Sequence, residues 1–413
     1  MRVVIVGAGP CGLYLAHLLF SLSIPSLHIT LLESEDRVGG RTQMGNYKGQ
    51  VVVAGAGIIR KTDKRLRQLC RTLDIPTHSF QTHVNYPRPY QSKQYFLSLL
   101  ETLKKKSSEF SLHKTFSQNF QQIMGKDKYQ DFIEMAGYTD FEHANVWDSL
   151  RDYGWKDNTS GQTMYSVNWN DLTDTMAHHL QLKYPLQFEL LLNTTVQKVN
   201  YQKGKFKLFS LQNKEKMENI DALFWTTPRP GWKPIQRFLP RSLLKEVQCQ
   251  PFLRAYATPK HPQKAETLYP PHHVTHTRMD CCFQKVIPMS SSSSSPKKDN
   301  KIYMISYSDN QHAIQSNQEL LKNTQIQKDW KDPQLYFWEC GTHYYSPSLI
   351  TTSEERQKWL DMAVHPSPLH ALFLASEGLS TQQGWTEGAL ESAERVIRHF
   401  SSYFIDQGDR KKD

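Results

Sequence analysis

The chain has 413 residues, more than a single hydrophobic core usually supports, so two packed units are expected. Hydrophobic residues make up 38% of it, with no apolar run near the roughly 18 residues of a membrane span, which argues against membrane-spanning helices. Its formal charge is +10, but the densest basic runs, Lys104-Lys105-Lys106 and Lys297-Lys298, have no interleaved aromatic platform, so a solvated surface and no nucleic-acid partner are expected.

The first element in chain order is a buried strand, Arg2-Val3-Val4-Ile5-Val6. Gly7-Ala8-Gly9-Pro10-Cys11-Gly12 follows, and then a helix through Leu13, Ala16 and Leu19. Gly7 makes the tight turn, Gly9 admits a pyrophosphate to the backbone N–H groups of the helix N-terminus, and Gly12 lets helix and strand pack closely. A second strand, 27–32, ends at Glu33, twenty-one residues beyond Gly12, where a carboxylate can accept the ribose hydroxyls of an adenosine. This succession predicts a dinucleotide site, without separating a nicotinamide from a flavin.

Further along, Leu66, Leu69, Cys70 and Leu73 mark a core-facing helix, as do Phe96, Leu97, Leu100 and Leu103. Residues 205–209 alternate as a half-exposed strand, while 187–199 and 221–228, the latter ending in Thr-Thr-Pro, are expected as strands by their resemblance to a known family. Ser290 to Ser295 form a low-complexity spacer, expected as a surface loop between two strands, 283–288 and 301–307. Residues 372–375 form a short apolar strand. Ala389, Leu390, Ala393, Val396, Ile397 and Phe400 then recur at helical spacing.

Two segments resemble the flavin amine oxidase family, which includes monoamine and polyamine oxidases. One is Glu33-Ser34-Glu35-Asp36-Arg37-Val38-Gly39-Gly40-Arg41. The other is Ser376-Glu377 followed by Gly384-Trp385-Thr386-Glu387-Gly388-Ala389. The resemblance implies an α/β fold: a doubly wound, Rossmann-like FAD domain assembled from 1–85, 166–228 and 366–400. An inserted α+β substrate domain would be built from 86–165 and 229–365, with 401–413 as a charged tail. It implies FAD held by Gly7, Gly9, Pro10, Cys11, Gly12, Glu33 and Ser34 on the adenosine and phosphate side. Gly39, Gly40, Arg41, Gly55, Ala56, Gly57, Val196, Glu377, Trp385 and Thr386 would complete the site. The N-terminus of the last helix would face the flavin pyrimidine, where a positive helix end favours the reduced form's charge.

For chemistry, the resemblance implies hydride transfer from a substrate C–H to flavin N5, with reoxidation by O2 to H2O2. Trp385 would supply one aromatic wall, and Tyr344 or Tyr345 the other. Lys285 is the candidate for a lysine that holds a water near N5. The substrate would be a small molecule, an amine in the leading reading. Two other readings stay open: a relative of desaturases or porphyrinogen oxidases, and a flavin-bound scaffold with an interaction role. The chain departs from the family at Val53, where an acid is usual and helps to hold Arg41, and at Ser376, where a glycine is usual. Cys340 lies near the region where some relatives attach flavin covalently, but at a different spacing.

Cys11, Cys70, Cys249, Cys281, Cys282 and Cys340 contain no C-x-x-C pair. Neither a zinc site nor a disulfide framework is expected, and the reading is a reducing compartment. His178-His179 and His272-His273 lack metal-ligand spacing, so no metal is expected. The N-terminus opens directly in a strand, leaving no room for a signal peptide, which makes a cytoplasmic location the expectation. The oligomeric state is not legible.

Overall fold

The computed structural model describes residues 1–210, 216–277, 285–289, 301–309, 328–367 and 369–409. The serine spacer and Cys281-Cys282 lie outside them. One half of the molecule is built on a five-stranded parallel sheet. Its strand order is Leu372–Leu374, Ala222–Trp225, Arg2–Val6 (β1), His28–Leu32 (β2) and Phe188–Leu191. Val3 stands in register with both Ala222 and Ile29, and Phe224 with Phe373. The central strands are buried on both faces, which explains their continuous apolar runs: a parallel sheet covered by helices has no polar side to show. Helices Pro10–Ser21 (α1), Trp169–Lys183 and Thr386–Asp409 pack in this half, joining the sheet in one core.

The segment expected as one strand over 187–199 is two. Phe188–Leu191 completes the parallel sheet, and Val196–Gln202 pairs with Lys205–Ser210 in a separate antiparallel sheet. Between them Asn193 adopts φ 52°, a left-handed turn that asparagine tolerates better than most residues. The helix predicted around Phe96 spans Lys93–Lys105, capped by Ser92. It buries Leu99 rather than Leu97, with Phe96, Leu100 and Leu103. Lys104 and Lys105 occupy its last turn, where positive charge complements the helix dipole, so this basic run has a structural reason.

The other half is built on a six-stranded sheet. Its order is Trp330–Tyr345, Val247–Pro259, Ile302–Ser308, Lys285–Met289, Val274–His276 and Val84–Asn85. The pairing expected on either side of the serine spacer is present, with Ile287 opposite Met304 in antiparallel register. A block of helices between Lys93 and Asp152 packs around Phe96, Phe116, Phe120, Phe132, Phe141 and Trp155. The hairpin of Met44–Tyr47 and Gln50–Val53 is pinned to the large sheet, because Trp338 donates to Ala54 O and Tyr256 to Val53 O. Among the described residues no helix is long and apolar enough to cross a membrane.

Candidate active site

The first glycine turn has the geometry a dinucleotide needs. A Cβ on Gly12 would lie 2.0 Å from Gly7 O, so only glycine permits the helix–strand approach. Gly9 is the N-cap of α1. It supplies no side-chain cap, and no acid occupies the first turn, so the amides there have no side-chain acceptor. The second glycine motif folds over this turn. Gly39 N donates to Ala8 O, and Gly40, at φ 51°, faces Gly9 with its Cβ position 3.5 Å from the Gly9 Cα. The two glycine loops thus meet backbone to backbone at Gly9, Gly39 and Gly40.

Glu33 ends β2 as expected, and its carboxylate already accepts from Ala8 N at 2.8 Å, Glu35 N at 3.0 Å and Ser34 Oγ at 3.0 Å. A carboxylate has about four acceptor sites, so its capacity for ribose hydroxyls is smaller than the sequence suggests. Val196 is buried at the start of its strand.

The two ends of the chain meet at Arg41. Its Nη1 donates to Glu377 Oε1 at 3.0 Å and Nη2 to Oε2 at 2.5 Å, a bidentate pair, and Nη1 also donates to Gly341 O at 2.8 Å. With no carboxylate at Val53, Arg41 takes its acid from the opposite end of the chain. His343 is fully buried beside this pair, with Nδ1 2.6 Å from Glu377 Oε1. Arg229 N donates to His343 Nε2 at 3.1 Å, so Nδ1 carries the proton that faces Glu377. Burial opposes the charge on Glu377, but Arg41 and His343 outweigh it and hold the carboxyl well below its usual range. Burial pushes the Cys11 thiol up, with the Glu377 charge adding to the rise and Arg41 opposing it. The Ser376 amide donates to Ser392 Oγ.

The cysteine reading needs correction. Cys249 and Cys340 lie on the paired antiparallel strands Val247–Pro259 and Trp330–Tyr345, beside a register shift, with Cα atoms 5.4 Å apart, and form a disulfide. Strand pairing, invisible in the spacing of six cysteines, brought them together. The argument for a reducing compartment falls with it, and the Cys340 sulfur is no longer available to a flavin. Donor atoms of Cys249, Cys340 and His343 lie within 4.8 Å of one another, but sulfurs joined to each other do not supply the thiolates a metal would need.

Near the last helix, a Cβ on Gly388 would lie 2.2 Å from Gln382 O, so the 376–388 loop packs tightly under the helix start. Glu387 does not face a cofactor. It accepts from Arg65 N and Leu66 N at 3.1 and 2.9 Å, capping helix Lys64–Thr72. Trp385 is half-buried, and the Arg60 guanidinium covers one face of its ring at 3.9 Å. Arg60 is held by Asp63, Asp157 and Gln382. This clamp was not foreseen, and nothing local in the sequence links residue 60 to residue 385.

The tyrosine pair separates. Neighbours on a strand point to opposite faces. Tyr345 is buried in the core of the parallel-sheet half, its hydroxyl donates to Ser380 O at 2.7 Å, and Arg356 stacks on its ring at 3.8 Å. It cannot serve as a substrate wall. Tyr344 is only partly buried.

Lys285 opens its strand, buried, with its amine over the Tyr138 ring. Around it gather His276, Asp140 and Asp309. A Cβ on Gly137 would lie 2.7 Å from both His276 and Lys285, and one on Gly384, in the C-terminal motif, 4.0 Å from Asp140. Burial pushes the Lys285 amine well down and the Asp309 carboxyl well up, and raises Asp140 to about 6. The cluster borders the C-terminal motif from the side of the large sheet.

Residues 5–73 match the model of an NAD(P)-binding Rossmann-like domain. Human lysine-specific histone demethylase 2 is 38% identical over 80 residues, which is 19% of this chain and 9% of that protein, so the likeness spans about a tenth of the relative's length. A redesigned putrescine oxidase superimposes with a TM-score of 0.72 at 14% identity, covering 97% of this chain and 98% of its own. Cyclohexylamine oxidase from Brevibacterium oxydans superimposes at 0.69 and 13% identity, covering 98% and 99%. With its parallel sheet, its paired glycine loops and its C-terminal motif brought to one crevice, the chain has the fold of the flavin amine oxidases.

Proposed function

We propose that this protein is an FAD-dependent oxidoreductase that oxidises an amine to an imine, with O2 reduced to H2O2. The observation that carries the reading is the Arg41–Glu377–His343 junction, which closes the crevice between the two glycine loops and the C-terminal motif. The residues fit a dinucleotide flavin: two glycine loops that meet through backbone, a helix N-terminus with no side-chain cap, and a buried acid at the end of β2. When bound, FAD supplies a two-electron acceptor at flavin N5.

In this reading 1–85, 166–228 and 366–400 form the cofactor half, and 86–165 with 229–365 the substrate half. Gly7, Gly9, Pro10, Cys11 and Gly12 present the α1 amides to the pyrophosphate. Glu33 and Ser34 address the ribose, and Val196 the adenine. Gly39, Gly40, Gly55, Ala56 and Gly57 pass close to the flavin, and Arg41 and Glu377 fix the loop beneath it. Trp385 and Thr386 border the ring, with the uncovered face of Trp385 as one wall and Tyr344 as the other. Lys285, buried beside Asp140, is placed to hold a water by hydrogen bonding. These groups orient a C–H bond and exclude water, which is most of what such a reaction asks of a protein.

The test is the visible spectrum of the purified protein, followed anaerobically through a panel of amines, with peroxide measured in air. Oxidised flavin bands that bleach with at least one amine are expected. A folded, colourless protein that added FAD cannot colour would refute the cofactor assignment. A flavin that stays oxidised with every amine would refute the reaction.

A further inference from the structure

Two arginines are almost wholly removed from solvent, Arg356 at 1% exposure and Arg254 at 2%. Each lies against two aromatic rings: Arg356 on Tyr345 and Trp359 at 3.8 and 5.0 Å, Arg254 on Tyr307 and Phe252 at 4.2 and 5.0 Å. Arg356 directs its Nε and Nη2 edge at Asp148, 3.1 and 2.5 Å from the two carboxylate oxygens, and its Nη2 reaches Glu246 as well. In Arg254 the same edge is empty. Neither Nε nor Nη2 has a hydrogen-bond partner, and among the described residues no carboxylate comes within 4.0 Å of the guanidinium. Nη1 meets the Met304 sulfur at 3.5 Å, and the neighbouring Tyr256 hydroxyl donates to Val53 O. A buried guanidinium with two unused parallel donors is costly, and the group that satisfies that fork is a carboxylate bound side-on.

The Nη2 end of that edge lies against the backbone of Gly57. A Cβ on Gly57 would lie 3.0 Å from Arg254 Nη2, and Gly57 belongs to the loop assigned to the flavin side. On its other side Arg254 shares the Tyr307 ring with Lys285, whose amine is 5.0 Å from that ring's centroid. Arg254 thus stands between the cofactor loop and the buried Lys285–Asp140–Asp309 cluster. Resting on the oxidase reading, we propose that Arg254 binds the carboxylate of the substrate, and that the substrate class is an amine that also carries a carboxylate. Putrescine, found bound in one structurally similar oxidase, has no such group.

The test has two arms on the FAD-loaded protein. In the first, acetate and benzoate are titrated by calorimetry against acetamide and benzamide. At least one carboxylate should bind more than about tenfold tighter than its amide, and Arg254→Met should abolish that difference. Arg254→Lys should recover only part of it, since an ammonium keeps the charge without the fork. In the second arm, phenethylamine is compared with L-phenylalanine, and cadaverine with L-lysine, by anaerobic flavin reduction. The carboxylated member of at least one pair should be faster by more than about tenfold, with the ratio near one in Arg254→Met. Thermal melts and FAD content of both variants separate misfolding from lost binding. The proposal is overturned if Arg254→Met, folded and FAD-loaded, binds the carboxylates as the parent does. It is equally overturned if neither carboxylate binds the parent better than its amide. Carboxylate binding that depends on Arg254 in a protein no amine reduces would sink the oxidase reading and leave this site standing.

Discussion

The cofactor crevice and the large-sheet side of the molecule treat buried charge in opposite ways. In the crevice, Arg41, Glu377 and His343 satisfy one another, and Glu33 accepts three donors from its own neighbourhood. Across the Tyr307 ring, Arg254 keeps two free nitrogens, Asp309 Oδ2 has no partner, and Lys285 rests on an aromatic face. A site that binds one constant cofactor can be finished by the chain itself. A site that must receive a substrate keeps unsatisfied groups and loses stability for it. The structure therefore separates buried charges that satisfy one another from buried charges left without partners among the described residues.

The largest expected effect comes from the two buried arginines. Arg356→Met leaves Asp148 and Glu246 buried without their cation and should destabilise the protein by about 3–5 kcal/mol. Arg254→Met removes a charge that has no partner, so it should be neutral or stabilising. Guanidinium unfolding of both variants measures the contrast, and equal losses would erase it. Next in size is Glu33→Ala. It should weaken FAD by roughly 1.5–3 kcal/mol through lost charged hydrogen bonds, and it also strands the Ala8 amide, so the cofactor-free protein should melt earlier as well. Unchanged FAD affinity with unchanged melting would mean that Glu33 serves neither role. Glu377→Gln keeps the volume and loses the charge facing Arg41, for a smaller loss of about 1–2 kcal/mol in FAD affinity or stability, read from the same titration and melt.

The crevice was legible because its pieces are local. A turn that needs Gly7 and Gly12, an acid at the end of the next strand, and a glycine-rich start to the last helix each state their geometry within a few residues. What failed was long-range. The Cys249–Cys340 disulfide joins cysteines 91 residues apart in sequence, brought near one another by two paired strands at a register shift. The clamp of Arg60 on Trp385 and the burial of Tyr345 depend on how loops pack across the sheet. Lys285 was named from its place in an expected strand, and it is buried near the C-terminal motif. Arg254 was missed, because an arginine in an apolar strand looks like any edge residue until its partners can be counted. The charges of the large-sheet side come from separate strands and loops, which is why no motif announces them.

The smallest effect tests whether that cluster titrates as its burial implies. Burial, with help from the Lys285 charge, holds His276 down to about 3 in the folded protein, against 6.5 ordinarily. Between those values the unfolded chain binds a proton that the folded one does not, so this stability is present above pH 6.5 and is lost as pH falls. Lys285, pushed well down by burial, acts in the same direction at higher pH. Asp140 does the opposite. Burial lifts its carboxyl from 3.8 to about 6, so between those values the folded protein holds a proton that the unfolded chain has released. Its contribution is present below pH 3.8 and is lost as pH rises through 6, and Asp309, pushed well up by burial, adds to it. His276 and Asp140 therefore oppose one another between pH 4 and 6. Asp140→Asn should make the loss of stability on acidification steeper by up to about 1.4 kcal/mol per pH unit, while His276→Gln should make it shallower by a similar amount. Denaturant melts at pH 4, 5, 6 and 7 measure both slopes. Parent-like slopes in both variants would mean that water reaches these groups in the folded protein, and that the large-sheet side is less dry than Arg254 requires.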